Sequence, residues 1–184
     1  GVINSEDRDF VGSPLPDCSM GLTLGFNYKN FDFSFFVVGF HGFDIYNATH
    51  QMGYNLIKSQ QVAGVTPMRE LLNRWTPTNT NTNIPGFVNG GTENKDFFST
   101  RFVENGSFIK MKSITLGYTL PETACRALGI TNLRVYASVQ NPFHITNYSG
   151  LDPEATMGSP LVQGVDWGSY PNSRNYLIGL NFSF

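Results

Sequence analysis

Residues 175–184 (NYLIGLNFSF) narrow the possible folds more than any other stretch of this chain. Tyr176, Ile178, Leu180, Phe182 and Phe184 alternate there with Asn175, Leu177, Gly179, Asn181 and Ser183. Successive side chains of a β-strand point to opposite faces, so the segment has one large apolar face and one mostly small or polar face. A soluble domain seldom leaves a long, uncharged, aromatic-rich strand as an edge, because its unpaired N–H and C=O groups would template aggregation. Closing the sheet into a barrel removes the edge and sets the apolar face against lipid. The pattern implies a transmembrane β-barrel strand, with those five apolar residues facing lipid. The alternative is the last strand of a soluble β-sandwich.

Composition supports the membrane reading. Aromatic residues make up 14% of the chain, with 16 Phe and 19 Gly, and charged residues only 14%, against ~25% charged in soluble domains. Mean hydropathy is nonetheless -0.18, and no run approaches the roughly 18 consecutive apolar residues of a spanning helix. The apolar residues are dispersed by alternation, as barrel strands require. A net charge of -2 without a basic stripe excludes nucleic acid as a partner. No basic-then-apolar leader opens at Gly1, so a signal peptide is expected upstream.

Alternation predicts five strands, near 19–29, 31–43, 107–120, 131–143 and 174–184. In the first, Met20, Leu22, Leu24, Phe26 and Tyr28 share a face; the second follows across a tight turn at Lys29-Asn30, which predicts a hairpin. In the third, Ile114, Leu116, Tyr118 and Leu120 are in phase, but Ile109 and Met111 fall on the other parity. That slip predicts a β-bulge near Lys112-Ser113, or a strand rising above the membrane. In the fourth, Leu133, Val135, Ala137 and Val139 oppose Arg134, Tyr136, Ser138 and Gln140. About 11 residues rising ~3.3 Å each at about 40° of tilt cover roughly 27 Å, the height of an outer-membrane apolar band. Thr23, Asn27, Asp32, Ser34, Arg134, Gln140 and Asn181 are expected to line the lumen or touch a plug.

Short connections, at Lys29-Asn30 and 121–131, alternate with long ones, at 45–107 and 145–174. Outer-membrane barrels pair short periplasmic turns with long external loops in this way. With Phe184 on the periplasmic side, residues 1–18, 45–107 and 145–174 fall outside the cell. Thr66-Pro67 reads as an N-cap followed by Pro at the first helical position, predicting a short helix over 67–74. Residues 76–83 (TPTNTNTN) carry polar turn chemistry. Five strands cannot close a transmembrane barrel, for which about 8 is the minimum, so the chain is expected to be part of a larger protein.

Several ordered stretches resemble the C-terminal end of the SusC/RagA family of TonB-linked outer-membrane transporters. They are GVINSEDRDFVGSPLPDCSMGLTLGFNYKNFDFSFFVVGFHGFDIYN, RWTPTNTNTNIP, SFIKMKSITLGYTLP, NLRVYASVQNPFHITNYSGLDPE and YPNSRNYLIGLNFSF, running from the first residue to the last. The least similar regions are 50–65 and 93–102. The resemblance implies an all-β fold, an antiparallel segment supplying about the last five strands of a 22-stranded barrel, with short helices in its external loops. It implies a plug and a TonB-contacting segment upstream, a SusD-like surface lipoprotein as partner, and import of glycan oligomers or peptides across the bacterial outer membrane. A siderophore or vitamin receptor, a passive porin and a glycan-binding β-sandwich module remain the alternatives.

The candidate site residues follow from residue type and place. Trp75, Tyr148, Trp167 and Tyr170 lie on the expected external loops, where an aromatic face can stack on a sugar ring or a peptide side chain; the competing role is to pack the loops together. The opening GVINSED is similar to the second half of an EF-hand-like loop, so Asn4 and Asp7 are candidate Ca²⁺ ligands in the intact protein, with the upstream carboxylates missing here. Asp152 and Glu154 flank Pro153 as a turn would, and serve loop geometry better than acid–base catalysis. His41, His50 and His144 have no ligand spacing, and no nucleophile or phosphate-loop motif occurs, so no enzyme and no catalytic residue are expected. Cys18 and Cys125 are placed a membrane thickness apart, which predicts two free thiols.

Overall fold

The computed structural model describes residues 6, 8–54, 68–86, 99–127, 129–157 and 163–184. Asn4, Asp7 and the Thr66-Pro67 helix start lie outside them. The strands are β1 (Cys18–Tyr28), β2 (Phe31–His41), β3 (Asp44–Asn47), β4 (Val103–Asn105), β5 (Phe108–Thr119), β6 (Asn132–Gln140), β7 (His144–Thr146), β8 (Val165–Asp166) and β9 (Asn175–Ser183). Among the described residues two short α-helices accompany them, α1 (Ala48–Tyr54) and α2 (Glu122–Ala127).

The main sheet is antiparallel in the order β1-β2-β5-β6-β9, with β7 pairing the upper part of β5. Its register puts every apolar series on one face. The row Tyr28–Phe31–Tyr118–Val135–Leu180 runs straight across it, and Phe26–Phe33–Leu116–Ala137–Ile178 lies one step above. These side chains are largely uncovered, Ile178 being 85% exposed in the chain by itself. A sandwich would bury this face under a second sheet; here the small sheet β4-β3-β8 belongs to the other side. Tyr28 and Phe184 are offset by four residues over four strand pairings. At ~3.4 Å per residue and ~4.8 Å per pairing, that stagger sets both rings at one membrane level when the strands tilt by roughly 35°, within the range of membrane barrels.

The expected bulge lies in β5. Phe36 pairs with Ser113 and Val37 with Met111, so Lys112 is the extra residue and Ile109 and Met111 return to the apolar face. At the lower turn Lys29 takes a left-handed φ of 54° to join β1 and β2. The upper strand ends fall short of the expected ones. β2 stops at His41 because Gly42, at φ 78°, turns the chain, and β6 stops before Asn141, at φ 50°, with β7 resuming on β5.

The opposite face is polar and has its own order. Arg134 Nε donates to Asp32 Oδ1 at 2.9 Å and Nη2 to Oδ2 at 2.5 Å, across the intervening β5. Gly117 makes that reach possible, since a Cβ there would collide with both partners. The Arg134 guanidinium lies 5.0 Å from the Tyr136 ring centre, and that ring rests over Gly179. Thr115 and Ser138 hydroxyls meet at 2.9 Å.

At the upper end this inner face becomes apolar. Val38, Phe40 and Phe108 pack there with Phe43, Ile45, Tyr148 and Met157, so the long connections fold inward over the sheet and share a small core with it. The sequence reading placed short helices only in those long loops; α2 instead occupies the lower connection, 121–131. Cys125 is buried in it and Cys18 is exposed at the upper end of β1, both as free thiols.

Candidate functional site

Three tied-down segments lie above the inner face, two held by a buried polar side chain and the third by the half-buried Glu104. The first is Asp166, at the end of β8. Its Oδ2 accepts the Tyr148 hydroxyl at 2.6 Å, while Oδ1 accepts the backbone N–H groups of Gly168 at 2.9 Å and Ser169 at 3.0 Å. A carboxylate that collects following N–H groups fixes a tight turn, and Gly168, at φ 88°, completes it. Trp167 and Tyr170 project from this turn, 56% and 89% exposed. Tyr148 is 5% exposed and packs the core beneath them. Burial, with the Asp166 carboxylate as second cause, pushes its hydroxyl well above the usual range, so it remains a neutral donor. It therefore offers no stacking face of its own and supports the turn that carries two.

The second anchor joins the 144–175 connection to β5. Lys110 Nζ lies 2.7 Å from both Asp152 Oδ2 and Glu154 Oε2, and Lys112 Nζ bonds Glu154 Oε1. Asn172 donates its backbone N–H to Asp152 at 3.1 Å and its amide to Glu154 at 2.9 Å. Lys110 and Asp152 are each 3% exposed. Burial pushes both carboxyls up, but the lysine ammoniums, and for Asp152 the Asn172 and Glu154 N–H groups, outweigh it and leave them below the usual range. The LDPE turn thus fastens a loop, as its Pro suggested.

The third anchor centres on Glu104 of β4, which accepts from Asn47 Nδ2 at 2.9 Å and from the Ser149 backbone N–H at 2.8 Å. His50 stands between this carboxylate and Glu70, with Nδ1 3.6 Å from the first and Nε2 3.5 Å from the second. Glu70 lies in a 3-10 helix, Arg69–Asn73, inside the span 67–74 where the sequence predicts a short helix. Trp75 follows it, 47% exposed, with its backbone N–H on the Ile84 carbonyl at 2.8 Å and its ring against Gly86. The Thr/Asn repeat is ordered by Asn79, whose amide reaches Asn73 Oδ1 at 2.9 Å.

Of the four aromatic candidates the structure links Tyr148, Trp167 and Tyr170 through Asp166, and sets Trp75 on a separate loop, 68–86. Lys110, Asn172, Asp166 and Glu104 were not legible as site residues, since each acts through a partner remote in sequence. Among the described residues no cluster of three His, Cys, Asp or Glu side chains suits a metal.

No protein-family model matches the chain. The chain is 35% identical over 190 residues, 100% of its length, to the TonB-dependent receptor P3 of Formosa agariphila. It is 33% identical over 185 residues, again 100% of its length, to the TonB-dependent receptor SusC of Bacteroides thetaiotaomicron. It spans only 18% and 17% of those two relatives. Its fold superposes on the RagAB peptide importer in the closed-closed state with a TM-score of 0.77 and 28% identity, over 94% of this chain and 18% of that one. TonB-dependent receptors are outer-membrane transport proteins, not enzymes. The exposed apolar face of the sheet, its polar opposite face and these likenesses together make the chain a portion of a SusC/RagA-family TonB-dependent receptor.

Proposed function

We propose that the whole protein to which this chain belongs is a TonB-dependent outer-membrane importer of oligomeric nutrients, peptides or glycans, working with a SusD-like surface lipoprotein. The observation that carries this reading is the coincidence of two features along one sheet. The outer face is apolar row upon row, and the inner face is polar below and capped by anchored loops above. A channel wall with a structured external mouth has this form. Trp167, Tyr170 and Trp75 supply exposed aromatic faces at the mouth, suited to sugar rings and to peptide side chains alike. Likeness to the RagAB peptide importer favours peptides as the first class to test, and Ca²⁺ at Asn4 and Asp7 belongs to the same proposal as a structural ion.

The test is uptake of fluorescent oligopeptides and oligosaccharides of matched length by cells carrying the full receptor, with and without dissipation of the inner-membrane proton gradient. Gradient-dependent uptake of one class, reduced about thirtyfold by Trp167→Ala with Tyr170→Ala if each ring contributes ~1 kcal/mol, supports the reading. Uptake indifferent to the gradient makes the protein a passive porin. Purification without any surface lipoprotein points to a siderophore-type receptor instead.

A further inference from the structure

The loop 68–86 is bonded within itself and held to the body of the fold at both ends. Inside it, the Trp75 backbone N–H donates to the Ile84 carbonyl at 2.8 Å, Thr76 and Asn79 exchange backbone bonds at 3.0 and 3.1 Å, and the Asn79 amide reaches Asn73. A segment tied in this way turns as one piece, so its attachment points decide where the Trp75 ring faces. At its start, the Met68 N–H donates to the Gly53 carbonyl at 3.1 Å, and the Met68 side chain fills the space that a Cβ on Gly53 would need. Glu70 then accepts the Tyr54 hydroxyl of α1. At its finish, Arg101 Nη1 donates to the Asn83 carbonyl at 2.7 Å. Both ends meet at Tyr54, because the Arg101 guanidinium lies 4.9 Å from the centre of its ring. Buried Phe102 and half-buried His50 stand edge-on to the same ring, at 5.9 and 4.8 Å.

We propose that Tyr54 and Arg101 are positioning residues for ligand capture: they clasp the loop at both ends and so fix the direction in which Trp75 presents its ring. The proposal rests on reading Trp75 as a ligand face. Arg101 joins the finish of the loop to the node by a charge-assisted hydrogen bond on one side and a cation–π contact on the other. Tyr54 joins the start by its hydroxyl. Burial first, then the Glu70 carboxylate, pushes that hydroxyl above its usual range, so it stays a neutral donor to Glu70. With one clasp lost, the internally bonded loop hinges on the other, and the direction of the Trp75 ring spreads.

The test uses the full receptor in nanodiscs, carrying Trp75→Cys and Asn30→Cys in a background free of other reactive thiols, with a nitroxide on each. Pulsed electron paramagnetic resonance then reads the distance from the loop to the lower turn. Its distribution should be single and narrow, and about twofold broader in Arg101→Met, where one attachment becomes a hinge. Tyr54→Phe, which keeps the ring beneath Arg101 and removes only the bond to Glu70, should broaden it as well. An unchanged width in either variant overturns the clasp. With Trp75 in place, Arg101→Met should weaken binding of the fluorescent oligopeptides used for uptake by about fivefold, the share of one aromatic ring. It should have no effect once Trp75→Ala is present. Equal weakening in both backgrounds overturns positioning through Trp75, and Trp75→Ala receptor that binds the oligopeptides like the unaltered one overturns the ligand face beneath the proposal.

Discussion

Replacing Lys110 with Met tests whether the external loop is held to the barrel wall by charge. The side chain is 3% exposed and stands 2.7 Å from two carboxylates. Removing one member of such a buried group costs about 3–5 kcal/mol, because the remaining charge stays desolvated. Two features favour the lower end: Asn172 still donates to Asp152, and Lys112 still holds Glu154. A loss of ~3 kcal/mol corresponds to roughly a hundredfold faster opening-limited amide exchange. The assay is hydrogen–deuterium exchange of the full receptor, followed in peptides covering 148–157 and 163–174, with β6 peptides as the internal reference. Lys110→Met with Asp152→Leu should recover most of the protection, since both charges then leave together. The linkage has a definite sign. Both carboxyls have depressed values in the folded loop, so their contribution is complete above the unfolded values near ~4 and disappears as pH falls through the folded ones. Loop protection, corrected for intrinsic rates, should therefore fall in acid in the unaltered receptor and less so in the double variant. Unchanged exchange in Lys110→Met would refute the anchor, and an acid response equal in both proteins would refute its electrostatic origin.

Ile178→Arg, on the outward face of β9, should cost about 2–4 kcal/mol if it lies near mid-bilayer and lower the yield of heat-modifiable barrel. Leu177→Arg, on the inward face beside Ser138, should assemble normally; equal defects would refute the facing. Asp166→Ala strands the buried Tyr148 hydroxyl and two turn N–H groups, a loss of roughly 1–3 kcal/mol, read as faster exchange of residues 165–170 and weaker ligand binding at Trp167 and Tyr170. A membrane-impermeant maleimide applied to intact cells should modify Cys18, whereas Cys125 should react only after permeabilisation and unfolding; a disulfide between them would contradict the strand orientation.

The wall was legible in the sequence and the mouth was not, for a physical reason. Period-two alternation is a local signal, so Met20 to Tyr28 and Tyr176 to Phe182 reveal their face without knowledge of any partner. Even the bulge was visible, because one extra residue reverses parity and Ile109 and Met111 record the reversal. The loop core draws Phe43, Ile45, Phe108 and Tyr148 from distant segments that share no periodicity. Tyr148 consequently read as one of four equivalent loop aromatics, although only the fold distinguishes the supporting ring from the exposed Trp167 and Tyr170. The pairing of Lys110 with Asp152 spans 42 positions, and neither residue carries a mark of its partner. The 3-10 helix at Arg69–Asn73 falls inside the short helix that Pro67 suggested, and its tighter winding is usual in so short a segment.

The bulge at Lys112 connects wall and mouth, and a change of one residue tests that connection. Counting back from Ile114 on an uninterrupted strand, Lys112 and Lys110 would point outward and Met111 and Ile109 inward. That arrangement sets two ammonium groups toward lipid and two apolar side chains toward the lumen. The extra residue reverses this: Met111 and Ile109 rejoin the outer face, Lys110 reaches Asp152 and Glu154, and Lys112 reaches Glu154. Deleting Lys112 should preserve the facing, because Met111 then adjoins Ser113 directly. Its cost is the partly exposed Lys112–Glu154 pair, about 0.5–1 kcal/mol. Inserting an Ala after Lys112 should also keep the facing, since Ala, Lys112, Met111 and Lys110 then alternate regularly from Ser113, but it moves Lys110 from beside Val38 to beside Phe40 and away from Asp152. That variant forfeits the buried pair, about 3–5 kcal/mol, and should show the loop exchange of Lys110→Met with barrel assembly retained. If the insertion leaves loop exchange unchanged, the lysines find their partners without the register that the bulge sets.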